Sequence, residues 1–306
     1  MNSSAPVHPH HDLAAALIER ARAGRAPLRT AVVHPVDAAS LGGAIAAADA
    51  GLIRPVLIGP KARIESAGRV SGHDMIDVPH SHAAAAKAAA LAGAGDVDAI
   101  MKGALHTDEL LAAILDRKAG LRTARRVSHV FVLDVPDLNR PLFISDAAIN
   151  IAPDLAAKRD IVQNAIDLAC ALGIKEPKVA ILAATEEVVP SMCATLDAAA
   201  LCKMADRGQI TGGILDGPLA FDNAMSPEAL TAKGMTSPVA GAADILIVPD
   251  IEAGNIMAKQ LDYLSGADAF GIALGAKVPI ILTSRADSIG ERLVSAALAK
   301  LAAQAQ

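Results

Sequence analysis

The chain has 306 residues, 53% of them hydrophobic but only 2% aromatic, with a formal net charge of −5. That length holds two α/β domains or one large one, and a core built of Ala, Val, Leu and Ile suits helices packed on a parallel sheet. Basic and acidic residues are interspersed, Trp is absent and Tyr263 is the single tyrosine, so neither a stripe that tracks phosphates nor a base-stacking platform is expected, and a nucleic-acid partner is not expected.

Met1–Asp12 lacks a basic segment followed by an apolar run, the pattern of a signal peptide, and its His8, His10 and His11 read as a tail rather than a metal cluster. The longest apolar stretch, near Ala269–Leu282, contains Gly, Pro and Lys277, so no membrane partner is expected. Cys170, Cys193 and Cys202 are odd in number and lack metal-ligand spacing; they read as free thiols in a reducing compartment, and a cytoplasmic protein is expected.

Short β-rich runs alternate with Ala/Leu-rich segments of helical period. In chain order the first half predicts a helix over Leu13–Ala23, a strand over Ala31–His34, a helix over Asp37–Ala50 and strands over Pro55–Ile58 and Met75–Val78. A helix over Ser81–Ala92, a strand over Asp98–Met101 and a helix over Asp108–Asp116 follow. The strands His129–Asp134 and Leu142–Ser145 flank the turn-rich Pro136–Pro141, which has no room for a helix and predicts an antiparallel hairpin at the entry to a second domain. The second half continues with a helix over Asp154–Leu172, a strand over Lys178–Leu182, a helix over Pro190–Asp206 and strands over Gly213–Leu215 and Asp244–Val248. It ends with a helix over Glu252–Tyr263, a strand over Pro279–Leu282 and a helix over Ser288–Ala303. Such alternation implies right-handed βαβ crossovers and a mainly parallel sheet with helices on both faces.

Ligands of such sheets sit beyond the carboxyl ends of the strands, so the residues following each strand are the candidates. Lys102, Gly103, His106 and Thr107 follow one strand; Lys102 and His106 can meet an anion at the next helix start, or be a solvated lysine and a loop histidine. Asp216-Gly217-Pro218 and Asp222 follow another and can bind, act as a base, or cap turns. Gly254 and Asn255 fall in the first turns of a helix, where Gly costs about 1 kcal/mol against Ala; a ligand lying against the backbone would explain it. Thr283-Ser284-Arg285-Ala286-Asp287-Ser288 runs from a buried strand into a helix start, the best oxyanion site in the chain, although Ser288-x-x-Glu291 also fits a capping box. No Gly-x-x-x-x-Gly-Lys-Ser/Thr loop, post-strand Gly-x-Gly-x-x-Gly or Gly-x-Ser-x-Gly elbow occurs, which counts against a P-loop kinase, a standard dinucleotide enzyme and a serine hydrolase.

Taken together, Asp216-Gly217-Pro218-Leu219 with Phe221-Asp222, Ser237–Asp244, Val248-Pro249-Asp250 through Gly254-Asn255 to Lys259, Lys102-Gly103 with His106-Thr107, and the Thr283–Ser288 turn resemble the phosphate acetyltransferase and phosphate butyryltransferase family from about Asp98 onwards. The resemblance implies an isocitrate/isopropylmalate dehydrogenase-like fold of two α/β domains, residues 1–128 plus 272–306 and residues 129–271, with the active site in the interdomain cleft. It also implies a homodimer that converts acyl-CoA and phosphate to acyl phosphate and CoA by direct attack in a ternary complex. Coenzyme A is then a substrate, and neither a cofactor nor a metal is expected. Ser284 and Arg285 would bind phosphate or the acyl oxygen, and a carboxylate would serve the CoA thiol: Glu291, seven residues after the serine, or Asp287, nearer the turn. Lys102, His106, Thr107, Asp216, Gly217, Pro218, Gly254, Asn255 and Lys259 would line the substrate site. Acetyl-specific relatives carry Asp where Glu291 stands, a departure that leans towards the butyryl type.

A metal-dependent 2-hydroxyacid dehydrogenase of the same fold would need clustered aspartates, whereas Asp216, Asp222 and Asp250 lie on separate loops. A non-catalytic acyl-CoA-binding regulator would have no need of a base beside the anion. Replacement Arg285→Ala is expected to cut turnover at least about tenfold, in line with the loss of one charged clamp; near wild-type turnover in a steady-state assay would dismiss this turn as the site.

Overall fold

The computed structural model describes residues 13–24, 26–284 and 287–305. The alternating runs become, in chain order, α1 (Leu13–Arg22), β1 (Leu28–Val33), α2 (Ala38–Asp49), β2 (Ile53–Gly59), α3 (Lys61–Ala67), β3 (Asp74–Asp77), α4 (Ser81–Ala94), β4 (Ala99–Lys102) and α5 (Thr107–Leu115). The predicted hairpin comes next as β5 (Ser128–Asp134) and β6 (Leu142–Ser145), antiparallel with Val130 opposite Ser145 and Leu133 opposite Leu142. Then come α6 (Leu155–Ala171), β7 (Lys178–Leu182), α7 (Cys193–Asp206), β8 (Ile214–Leu219), α8 (Phe221–Met225), α9 (Pro227–Ala232) and β9 (Ile245–Ile247). The chain closes with α10 (Ile251–Ser265), β10 (Asp268–Leu274), β11 (Ile280–Ile281) and α11 (Ile289–Ala305). Asp37, Asp154 and Asp250 cap α2, α6 and α10, accepting from the N–H three residues on at 2.7, 2.8 and 2.9 Å, each worth about 1 kcal/mol.

The eleven strands of the described residues form one sheet in the order β3-β2-β1-β4-β11-β10-β5-β6-β9-β7-β8. From β3 to β11 the neighbours are parallel, as they are from β6 to β8. Between these blocks, β10 is antiparallel to both β11 and β5, and β5 to β6, so the two parallel blocks point in opposite directions. The predicted elements omit β10, and β10 is the strand that joins the two parallel blocks through β11 and β5. Its residues fall in the apolar Ala269–Leu282 run, where burial of both faces removes the polar alternation that marks a half-buried strand. The short helices α3, α8 and α9 are also absent from the predicted elements.

The two faces are covered differently. On one, α1, α2, α3, α6, α7 and α11 bury a single continuous core that runs across both blocks, from Val32 and Leu57 through Val130, Val132, Phe270 and Ile272 to Ile245 and Val179. On the other, α4 and α5 cover one core around Val33, Val56 and Ile100, and α8 and α10 cover another around Leu142, Ile144 and Leu246. Side chains alternate along a strand, so His129 and Phe131 of β5 and Ala269 of β10 face this second side, between its two cores. Among the described residues no helix is long and apolar enough to cross a membrane. Phe143 on β6 is fully buried in the continuous core; Phe143→Ala is expected to cost about 3–5 kcal/mol of unfolding free energy, read as a lowered denaturant midpoint.

Candidate active site

Local sequence explains how the polar groups come to lie together. β4 ends at Lys102 and β11 at Ile281, side by side in the sheet, so the loops leaving these two strands emerge at the same place. Lys102 is only 4% exposed, and its Nζ donates to the Thr283 carbonyl at 3.2 Å. The Ser284 N–H donates to Asp287 Oδ2 at 2.7 Å, closing the turn, and Ser288 and Glu291 form both halves of the expected capping box at the start of α11. Arg292, 3% exposed on α11, reaches under this turn: it donates to Thr283 Oγ1 at 2.8 Å, the Ser284 carbonyl at 2.6 Å and the Asp287 carbonyl at 3.3 Å.

Eight of the predicted residues, Lys102, His106, Thr107, Asn255, Lys259, Ser284, Asp287 and Glu291, line one cavity of about 380 Å³. Its floor is His129, Phe131 and Ala269, and Asp262, which pairs with Lys259 at 3.5 Å, stands on its wall. The cavity thus draws on the ends of β4 and β11 from one block, on α10 from the other, and on the two strands between. Burial pushes the Asp287 carboxyl above the usual carboxylate range and the Glu291 charge adds to this, while the Ser284 N–H and the Arg292 and Lys259 charges pull the other way. A larger surface depression, of about 830 Å³, is lined by Arg125, Asp167 and Lys277 and contains none of the predicted site residues.

Five predicted residues are placed otherwise. Arg285 lies outside the described residues, as do His8, His10 and His11. Asp216, Gly217 and Pro218 belong to β8 itself rather than to a loop after it, and β8 is the outermost strand, with β7, β9 and β6 between it and β5. Asp216 accepts from the Gly217 N–H at 2.8 Å, and these three residues do not line the cavity. Pro218 is compatible with a strand here because an edge strand can spare one ladder donor. Gly254 answers to protein rather than to ligand. A Cβ there would come within 2.7 Å of Val248 Cγ2 and 2.9 Å of the Asp146 carbonyl, so the glycine lets α10 pack directly on the chain that leaves β6. Its neighbour Asn255 secures that contact, donating to the Ala147 carbonyl at 3.1 Å.

Sequence reasoning passes over two residues of the site. Arg292 falls at a helical position that reads as surface charge, and nothing local shows that it turns inward. His129 sits inside a strand; a histidine beside Phe131 on the face opposite Val130 and Val132 is the signal that could have found it.

A family model described as phosphate acetyl/butaryl transferase matches residues 77–300. A phosphate acetyltransferase of Rhizobium meliloti is 59% identical over 290 residues, covering 93% of this chain and 92% of that protein. A phosphate butyryltransferase of Clostridium acetobutylicum is 44% identical over 258 residues, covering 83% of this chain and 86% of its own. The crystal structure of a branched-chain phosphotransacylase from Enterococcus faecalis V583 superposes with a TM-score of 0.79 at 27% identity, covering 90% of this chain and 99% of that one. The protein is an acyltransferase. It belongs to the phosphate acetyl/butyryl transferase family, and neither the dehydrogenase nor the non-catalytic binder is favoured.

Because Arg292 supplies donors to three acceptors of the Thr283–Asp287 turn, and a buried acceptor left unsatisfied costs about 1–3 kcal/mol, Arg292→Met is expected to lower stability by at least about 2 kcal/mol and kcat/KM at least about tenfold. Denaturant unfolding and steady-state kinetics check the two effects, and kinetics at the wild-type level would show that the turn does not position catalytic groups.

Proposed function

We propose that the cavity lined by Lys102, Ser284 and Glu291 is where an acyl group passes between coenzyme A and inorganic phosphate, as the names of the relatives suggest. One observation carries this reading: the buried Lys102, the Ser284 hydroxyl and the carboxylates of Asp262, Asp287 and Glu291, from distant parts of the chain, line a single small cavity. An unprotonated oxygen of hydrogenphosphate attacks the thioester carbonyl, the new C–O bond replaces the C–S bond, and the one proton of hydrogenphosphate ends on the CoA sulfur. Lys102, the Ser284 hydroxyl and Arg285 hold the phosphate and the developing oxyanion, which is electrostatic stabilisation of charge formed in the transition state. Asn255 and Lys259 face them from α10 and suit the polar end of the acyl-CoA.

Glu291 is proposed as the carboxylate that exchanges a proton with the thiol. It lies seven residues after Ser284 and lines the cavity. Asp287 is the second reading, favoured by its upward-shifted pKa, because a base works best when its pKa approaches that of the proton it takes. The two lobes, residues 1–128 with 272–306 and residues 129–271, are proposed as isocitrate/isopropylmalate dehydrogenase-like halves that flank the cleft. Support comes from β11 returning to pair with β4, and from the two separate cores on the cavity side. Coenzyme A remains a substrate in this scheme, with no cofactor of the enzyme's own and a cytoplasmic homodimer as the working form. Among the described residues no group of three or more His, Cys, Asp or Glu side chains is arranged to hold a metal.

A thiol-release assay on acetyl-, propionyl- and butyryl-CoA, with and without phosphate, is expected to show release only with phosphate. Each methylene should change kcat/KM by about fourfold, corresponding to about 0.8 kcal/mol. Release that ignores phosphate would overturn the reading. Glu291→Gln is expected to lower kcat at least about a hundredfold, with Asp287→Asn milder; the reverse order would make Asp287 the base.

A further inference from the structure

A residue outside the cavity holds part of its wall. His34, the residue after β1, has a φ of 55°, in the left-handed region that suits glycine and that a histidine enters at a cost. It is buried, and its backbone joins three strand ends. The His34 N–H donates to the Ile58 carbonyl of β2 at 2.7 Å, and the His34 carbonyl accepts from the Ala104 N–H at 2.9 Å, in the chain that leaves β4. The side chain adds a further link, with Nδ1 2.9 Å from the Ala104 carbonyl. A carbonyl can only accept, so Nδ1 carries the hydrogen and donates. Gly103 completes the clamp. Its N–H donates to the Val33 carbonyl at 2.9 Å, and a Cβ there would come within 2.3 Å of that oxygen and 2.8 Å of the His34 carbonyl.

The clamped pair Gly103-Ala104 lies between Lys102 and Leu105-His106-Thr107, and these four residues line the cavity, whereas His34 does not. A peptide unit is planar, so fixing the Ala104 carbonyl fixes the plane that joins Ala104 to Leu105 and with it the direction in which the chain enters α5. A glycine at position 34 would take the same turn without the backbone cost, but it has no donor for that carbonyl. We propose that His34 is a positioning residue for the anion side of the site: by donating to the Ala104 carbonyl it sets the course of the chain from Lys102 to Thr107, and the hold on phosphate depends on that course. The inference rests on phosphate binding in this cavity, as proposed above.

Steady-state kinetics of three variants test it. His34→Asn keeps a donor near the position of Nδ1 and tolerates the left-handed turn, so its phosphate KM should stay within about threefold of wild type. His34→Gly takes the turn freely but has no donor, and His34→Ala suits neither; each should raise the phosphate KM at least about tenfold while the acyl-CoA KM stays within about twofold. A wild-type phosphate KM in His34→Gly overturns the proposal, because only the turn would then matter. A parallel rise of both KM values, the mark of general loosening, overturns it, and so does His34→Asn behaving no better than His34→Gly. Nitrogen-15 spectra of histidine-labelled wild-type enzyme at alkaline pH, where imidazoles are neutral, should show the His34 hydrogen on Nδ1. A hydrogen on Nε2 overturns the proposal even if no His34 variant folds. Lys102→Met separates the two levels: if it leaves the phosphate KM unchanged, phosphate binds elsewhere and the cavity reading fails; if it raises that KM while His34→Gly does not, only the role of His34 fails.

Discussion

The end of β11 is gripped by two buried cations, and the cavity depends on that grip. Lys102 reaches the Thr283 carbonyl from the neighbouring strand, and Arg292 reaches Thr283 Oγ1 and the Ser284 and Asp287 carbonyls from the helix that follows. A polar turn at the end of a buried strand is stable only if its carbonyls find donors, and charged donors make the stronger bonds. The arrangement also brings charges of both signs into one small volume, since Asp287 stands on the turn that the cations hold and Glu291 in the first turn of α11 just after it. The atoms that hold the turn also shape the cavity. A substitution that loosens the turn therefore moves groups that line the cavity as well.

The unequal covering of the two faces explains why the cavity lies where it does. One face has a continuous apolar core spanning both parallel blocks, with α11 and α6 packed across the junction. On the other, the cores beneath α4 and α5 and beneath α8 and α10 stay separate, and the strands between them carry His129, Phe131, Ala269 and Gly271. Two small residues and two rings in that position leave volume that larger aliphatics would have filled. Because the blocks run in opposite directions, elements from both come to border this gap.

Much of this is legible in the amino-acid order, because the signals are local. The hairpin is readable from Pro136–Pro141, the capping box from Ser288-x-x-Glu291, and the cluster of Lys102, His106 and Ser284 from the rule that polar residues beyond strand ends gather together. The features that escape are set by distant neighbours. β10 has no alternation because it is covered on both faces, and Asp216-Gly217-Pro218 looks like a turn until β8 is seen to occupy the sheet's edge. Gly254 reads as room for a ligand, and the room is taken by the backbone at Asp146 and Ala147. Arg292 looks like one more surface charge on an amphipathic helix, and only the packing of α11 under the turn makes it interior.

The position of β11 in the sheet has a consequence for biosynthesis. This strand, with Ile280 and Ile281 its paired residues, fills the slot between β4 and β10, and it leaves the ribosome after both of them. Until then the β3–β4 block can form, but its inner edge is unpaired and β10 has nothing to join on that side. Completing the sheet means closing loops of more than a hundred residues, the slow class of folding event. A nascent chain halted before β11 would lack this side of the pocket and would carry an open strand edge on which another chain could pair.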